Sequence, residues 1–293
     1  MSNVELKRLN TCSFQTAVDV WNQGFQGYFI DMTLSLDSLL NRITAEGISP
    51  AHSFVAFSED KPVGFLLSGL RTARGKKLAW NGGTGVIPNW RGKGVGKCLV
   101  NAALEMYAAE KVDFALLEAI TGNHAAIALY KTFGYEIVDE VTVLQTNGAL
   151  TEFSVSDAYK VTRVPPATVG SLSFYRELSP WQAQWMSVTL NHGEAVIVLD
   201  QRGEIVCYAL YKKRFDDHGN LAGIALYQCE VAPKKEDNKR IAATALDSVF
   251  GPLTTRCLRR AVNLSKSNSV VDLLLNAGLE PFIDQVHMMK RIA

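Results

Sequence analysis

Three glycines, Gly92, Gly94 and Gly96, alternate with Lys93 and Val95 between two basic residues, Arg91 and Lys97. Glycine lets the backbone turn tightly and lie against a ligand. Val95, Leu99, Ala102, Ala103 and Met106 follow helical spacing, so the loop opens a helix whose first N–H groups lack intrahelical acceptors. Such a positive end with free backbone donors suits phosphate. A nucleoside-triphosphate loop, Gly-x-x-x-x-Gly-Lys-Ser/Thr, would put Arg91 where glycine is required and Cys98 where a magnesium-binding hydroxyl is required. A dinucleotide fingerprint starting at Gly94 would need a small residue at Leu99. The pattern that survives is Arg91-x-x-Gly94-x-Gly96.

The elements that must position this loop are legible as alternating signals. Residues 53–57 and 63–70 are apolar runs around a polar turn and read as an antiparallel hairpin, with 78–86 as a third strand. After the loop and its helix, 114–120 reads as a short buried strand. Asn123 is a good N-cap and Gly134 a good terminator for the helix between them. The same order recurs downstream: a hairpin over 195–200 and 205–212, a strand at 221–231, a helix at 241–250, a strand at 261–264 and a helix at 270–276 closed by Gly278. Residues 159–164 resemble 4–9, which places the boundary near residue 155. The expected fold is therefore α/β, in the α+β sense: two tandem domains, 1–155 and 156–293, each a mixed, mostly antiparallel sheet flanked by helices.

Strand, Val86-x-Pro88, Arg91-x-x-Gly94-x-Gly96, helix, strand and then Asn123-x-x-Ala126-x-x-Leu129-Tyr130-x-x-x-Gly134-Tyr135 resemble the GNAT acetyltransferase superfamily. The resemblance covers the first half, with both motifs in order. It implies acetyl-coenzyme A as cosubstrate, its pyrophosphate held by backbone amides from Arg91 through Gly92, Lys93, Gly94, Val95 and Gly96 to Lys97, and Asn123 near the pantetheine arm. Residues 117–130 also resemble the acetyltransferases that modify ribosomal protein N-termini, where the matching glutamate and tyrosine serve as base and acid. Ile120 departs from that subgroup, which tends to have arginine there, so its substrate does not transfer.

Acetyl transfer to an amine needs a proton acceptor, because an amine with a pKa of about 10.4 is overwhelmingly protonated at neutral pH and only the neutral form attacks. Glu118, among Leu116, Leu117, Ala119 and Ile120, is the candidate base; its competing reading is a structural carboxylate, paired with a lysine or facing solvent. Tyr130 is the candidate acid for the departing thiolate, or else a core aromatic beside Leu129 and Phe133. The Val86 N–H, next to Gly82, Gly83 and Gly85, is the candidate donor to the thioester carbonyl and the third member of the catalytic set; those glycines otherwise mark a bulge. Trp21, Phe25, Tyr28, Phe29 and Met32 fall where the superfamily usually covers its acceptor, and read as a substrate lid or as ordinary core.

The second half aligns Val231-Ala232-Pro233 with Val86-Ile87-Pro88 and thereby sets Lys239 and Ile241 against Gly94 and Gly96. No glycine remains in that loop, and Glu236 and Asp237 would repel phosphate. Leu274 stands where Tyr130 does. The second domain thus reads as a degenerate copy that shapes the acceptor cleft or pairs subunits as a homodimer, by analogy with tandem acetyltransferases such as mycothiol synthase.

Composition narrows the remaining classes. Basic and acidic residues number 13 and 15 over 1–155, and 17 and 14 over 156–293, a balance that argues against nucleic acid as a partner. The longest apolar run, 205–211, falls far short of the roughly 18 residues of a membrane span, and the N-terminus lacks a basic-then-apolar signal. Five scattered cysteines without a Cys-x-x-Cys pair suggest neither disulfides nor zinc, so a reducing cytoplasm is expected and no metal. His124 reads as a solvated first-turn residue. The leading function is an N-acetyltransferase acting on a small-molecule or peptide amine; the rivals are a non-catalytic acetyl-coenzyme A sensor or interaction module and a structural scaffold.

Overall fold

A computed structural model describes residues 4–292; the outermost residues of both expected domains, 1–3 and 293, lie outside the described region. The chain forms two compact units, one of residues 1–138 with 287–293 and the other of residues 139–286. The compact units thus divide after Val138, not near residue 155, and the last residues return to the first unit. No sequence signal marks either crossing because both fall inside strands.

The first unit runs β1 (Val4–Arg8), α1 (Phe14–Gly24), α2 (Leu36–Glu46), β2 (Phe54–Ser58), β3 (Lys61–Ala73), β4 (Lys76–Val86), α3 (Val95–Ala109), β5 (Phe114–Ile120) and α4 (His124–Thr132). Two strands are shared: β6 (Glu136–Thr146) begins in this unit, and the final strand of the chain, residues 280–291, ends in it. The sheet order is β1-β2-β3-β4-β5 and then the end of that final strand. β1 to β4 pair antiparallel and β4 pairs parallel with β5.

Local chemistry fixes the helix ends. Ser13 and Ser35 cap α1 and α2 through side-chain oxygens that accept from Thr16 N and Ser38 N at 3.0 and 3.2 Å. Gly47 at φ 66° and Gly134 at φ 79° end α2 and α4 in the left-handed region that favours glycine. Helices cover both faces of the sheet. α1 lies on the Phe65 face, where Trp21 meets Phe65 with ring centroids 5.1 Å apart. α3 lies on the opposite face, where Val95 and Leu99 crowd Gly64 and the Tyr107 hydroxyl bonds Ser68 Oγ at 2.8 Å. Trp21, Phe65, Leu99 and Tyr107 are all buried, and burial of each such side chain stabilises the unit by about 1.5–3 kcal/mol.

The second unit runs β7 (Lys160–Val164), α5 (Pro166–Gly170), α6 (Trp185–Leu190), β8 (Glu194–Leu199), β9 (Ile205–Phe215), β10 (Leu221–Val231), α7 (Asn238–Phe250), β11 (Leu258–Ser265) and α8 (Val270–Asn276), with the greater parts of β6 and of β12 (Glu280–Arg291). Its order is β12-β6-β11-β10-β9-β8-β7, and β10 pairs parallel with β11 as β4 does with β5 in the first unit. α7 buries Ile241, Ala242, Ala245, Leu246 and Val249 against the sheet. The order expected from the sequence is reproduced in both units.

Candidate active site

β4 and β5 pair only from Leu78–Phe114 to Asn81–Leu117, although β4 continues to Val86 and β5 to Ile120. The strands part beyond that point and leave a wedge between 82–86 and 118–120. Gly82 contributes to the opening. The β3–β4 register jumps there, from Leu67–Gly83 to Ser68–Asn81, so Gly82 is the extra residue of a bulge. The glycines therefore do mark a bulge, and the bulge borders the wedge.

Val86 lies at the wedge mouth with its donor turned away from β3. Ile87 N–H donates to Val63 O at 3.0 Å, so the next pair, Gly64–Val86, is a non-hydrogen-bonded one. Its N–H and C=O point to the other edge of β4. The Val86 carbonyl accepts from Arg91 Nε at 3.0 Å.

The glycine loop lies just beyond. Gly92 and Gly94 take φ values of 74° and 88°, and a Cβ at either would meet nothing within 4 Å, so the space above them is open. Gly96 serves a different need: a Cβ there would lie 3.3 Å from Leu129 Cδ2, and its absence lets α4 close on α3. α3 starts with Gly94 as a cap that has no side chain to offer, and its first internal bond is Cys98 N to Gly94 O. The N–H groups of Val95, Gly96 and Lys97 are the unpaired donors of that first turn. Arg91 differs from expectation. Its N–H already donates to Pro88 O, and its guanidinium donates to Val86 O, Gly24 O and Gln26 O at 3.0 to 3.1 Å. Arg91 ties the loop to the end of α1, so the donors turned to a ligand lie after it. Lys93 sits over the Trp90 ring, 5.2 Å from its centroid, and Lys97 is exposed.

Glu118 and Tyr130 occupy opposite faces. Adjacent residues of a strand point to opposite sides; Trp80 bonds Glu118, whereas Asn81 bonds Tyr130. Glu118 is 6% exposed at its side chain, and both oxygens are held: Oε2 accepts from Trp80 Nε1 at 2.8 Å, and Oε1 lies 3.0 Å from His287 Nδ1. It is therefore a paired carboxylate, with a histidine and a tryptophan from other strands among its partners. His287 comes from β12, 169 residues away along the chain, and it is 2% exposed. Nothing near residue 118 announces it; the only sequence signal is a lone histidine in an apolar strand.

Across the sheet, Tyr130 is buried, with its hydroxyl 3.3 Å from Asn81 Nδ2 and within reach of Thr84. Burial raises its pKa above the ordinary 10.0, opposed by the hydrogen bonds from Thr84 and Asn81. Asn81 and Thr84 also bond each other, at 2.9 and 3.0 Å. These two polar side chains within an apolar strand were the overlooked signal. Asn123 caps α4 by accepting from Ala126 N at 3.2 Å, and its amide donates to the Tyr28 hydroxyl, whose pKa burial also raises.

Phe25, Tyr28, Phe29 and Met32 belong to the segment between α1 and α2, which lines a cavity of about 350 Å³. Trp21 is core, buried in α1, with its Nε1 donating to Met32 O at 2.6 Å. Phe25 and Tyr28 continue the ring stack at 4.6 and 5.0 Å, while Phe29 is 56% exposed and lies over Gly122. The segment thus reaches the end of β5 and the cap of α4. His124 is exposed. Among the described residues, no group of three or more His, Cys, Asp or Glu is placed to hold a metal ion, and no helix is long and apolar enough to cross a membrane.

In the second unit, six residues separate β10 from α7, against eight between β4 and α3. The helix starts two residues earlier than the sequence alignment assumed, so Asp237, not Lys239, holds the cap position that Gly94 holds in the first unit. A carboxylate stands where the first unit presents open backbone.

Residues 9–135 match the profile of the family described as "Acetyltransferase (GNAT) family". None of the curated proteins compared with the chain matches it. Among solved structures, a GCN5-related N-acetyltransferase from Sphaerobacter thermophilus superposes with a TM-score of 0.70 at 14% identity, over 99% of this chain and 96% of that one. A tandem GNAT protein from the clavulanic acid biosynthesis pathway superposes with a TM-score of 0.62 at 13% identity, over 99% of each chain. A GCN5-related N-acetyltransferase from Anabaena variabilis gives 0.61 at 15% identity, over 99% of this chain and 73% of that one. At these identities the likeness concerns the fold.

Proposed function

We propose that the chain, whose residues 9–135 match the profile of the GNAT acetyltransferase family, is an N-acetyltransferase that moves the acetyl group of acetyl-coenzyme A to a primary amine. The observation that carries this reading is the wedge between β4 and β5, which has an uncapped helix start at its mouth and a carboxylate and a phenol on its two faces. Pyrophosphate fits the N–H groups of Gly92 through Lys97, where two glycines leave open space and the helix presents its positive end. The pantetheine arm then follows the wedge past Asn123.

Within the wedge the amine nitrogen attacks the thioester carbonyl; a carbon–nitrogen bond forms and the carbon–sulfur bond breaks. Glu118 takes the proton that the amine must lose, its carboxylate oriented at the wedge by Trp80 and His287. The Val86 N–H, already turned from β3, donates to the carbonyl oxygen as charge builds there. Tyr130, kept neutral by its raised pKa, donates to sulfur as the thiolate departs. The segment carrying Phe25, Tyr28, Phe29 and Met32 covers the acceptor as an apolar and aromatic lid. The second unit is a degenerate copy: an acidic cap and no glycine in its loop leave one coenzyme site per chain. All five cysteines are unpaired, in keeping with a reducing cytoplasm as the setting.

A second reading, an acetyl-coenzyme A-binding module without turnover, draws on the same carboxylate, because both Glu118 oxygens are already engaged. Thiol release from acetyl-coenzyme A, followed across a panel of polyamines, amino acids, aminoglycosides and peptide N-termini, separates the two. The first reading expects release that depends on at least one amine. Tight cofactor binding with no acceptor-dependent release would leave the second.

A further inference from the structure

The second unit carries a concentration of positive charge that acetyl transfer does not use. Where β9, β10 and β11 run side by side, Lys212 and Arg260 both stand opposite Ala225, one from each neighbouring strand. One pleat along, Arg214 stands opposite Gly223, whose partner on the other side is Leu258. Directly opposed residues share a face of the sheet, so the three cations rise around a floor made of Ala225 and Gly223. They border a pocket of about 200 Å³, whose wall is completed by Asn191 and Tyr227. The floor is tight: a Cβ on Gly223 would lie 3.0 Å from the Leu258 carbonyl oxygen and in contact with Arg214 Nη2 at 3.7 Å.

Like charges placed together on a sheet destabilise it, and among the described residues no ion pair balances them. The ion pairs of this unit among the described residues run through Arg163, Arg176, Lys235, Arg240 and Lys266; Lys212, Arg214 and Arg260 enter none. No aspartate or glutamate lines the pocket. Burial, and then the neighbouring Arg214, push the Lys212 ammonium pKa down. The contacts that orient these cations are neutral. Lys212 Nζ donates to Asn191 Oδ1 at 2.7 Å, Asn191 Nδ2 donates to the Tyr227 hydroxyl at 3.2 Å, and Arg260 Nε donates to Gln145 Oε1 at 3.0 Å. Lys213, between Lys212 and Arg214, points to the other face, where Arg259 also stands opposite Ile224; there backbone carbonyls take up both cations, Gly251 O for Lys213 and Gly148 O, Thr255 O and Pro252 O for Arg259.

We propose that this pocket binds a phosphate group carried on a small molecule. Three cations match a dianion better than a carboxylate of single charge, and arginine forks suit phosphate oxygens. The volume lies below the roughly 300–1,000 Å³ of sites for drug-sized ligands, so it suits the phosphate and the atoms next to it. The site is distinct from the loop of residues 92–97 and stands whether or not that loop binds coenzyme A.

Calorimetric titration of the whole chain, with dephospho-coenzyme A, which carries no phosphomonoester, present to occupy the first unit, tests it. The probes are inorganic phosphate, glycerol 3-phosphate and, at equal ionic strength, acetate. The expected result is binding of both phosphate probes at one site, at least tenfold tighter than acetate; tighter binding of the glycerol ester than of free phosphate would mark a phosphomonoester as the ligand. Lys212→Gln with Arg260→Gln weakens that binding at least tenfold, while Arg260→Lys retains it. In the wild-type chain, phosphate binding must also weaken as sodium chloride rises. No phosphate binding, acetate binding as tight as phosphate, salt-insensitive binding, or binding unchanged in the double variant would each overturn the proposal.

Discussion

At the scale of single residues, the site rests on side chains held by partners from other parts of the chain. Glu118 is pinned by Trp80, whose Nε1–H donates to Oε2, and by His287, whose Nδ1 lies 3.0 Å from Oε1. Removing the His287 bond leaves the carboxylate free to turn, and a bond to a charged group is worth roughly 1.5–3 kcal/mol, or about 10- to 100-fold in rate. His287→Leu is therefore expected to lower kcat by at least about tenfold with KM for acetyl-coenzyme A unchanged. His287→Asn, whose amide can occupy the Nδ1 position, restores most of the rate. A purely structural histidine would instead show losses that follow stability and are not rescued by asparagine. Sequence reasoning singled out Glu118 and Tyr130 as candidates because each sits inside a short motif. It missed His287, Trp80, Asn81 and Thr84, because strand pairing brings them to the site and pairing is not written in local spacing.

At the scale of elements, the legible parts were those whose signals are local. The hairpin, the glycine loop, α3 and the Asn123–Gly134 bracket of α4 all appear where turn and cap chemistry put them. Two features escaped. The division of the units falls inside β6 and β12, away from the likeness of residues 159–164 to 4–9 that suggested a boundary near residue 155, since a strand that changes units keeps an unbroken strand pattern. The loop before α7 is two residues shorter than its counterpart, and a gap of that size is invisible when no glycine remains to anchor an alignment. Asn123 joins two elements by capping α4 and bonding Tyr28. Asn123→Ala should cost roughly 0.5–2 kcal/mol of stability, read from the shift of the urea midpoint at unchanged slope. It should also raise KM for acetyl-coenzyme A; a variant as stable as the wild type would contradict this account of the helix start.

At the scale of the whole molecule, both units bury phenols. Burial raises the pKa of Tyr107, Tyr130 and Tyr135 in the first unit and of Tyr208 and Tyr211 in the second. A phenol whose folded pKa exceeds its unfolded value stabilises the native state fully below that unfolded value, about 10, and the contribution is lost as pH climbs through the folded one. The urea midpoint is accordingly expected to fall steeply above about pH 10; a midpoint constant to pH 11 would contradict it. The central claim, that the first unit transfers acetyl groups with Glu118 as the base, meets its most direct test in Glu118→Gln, a substitution that keeps size and leaves an amide in place of the carboxylate. Amine-dependent thiol release and coenzyme A affinity should be measured on the same preparation. The account predicts a fall in kcat of roughly 10²- to 10⁴-fold with coenzyme A affinity unchanged. A variant that turns over at the wild-type rate would contradict it.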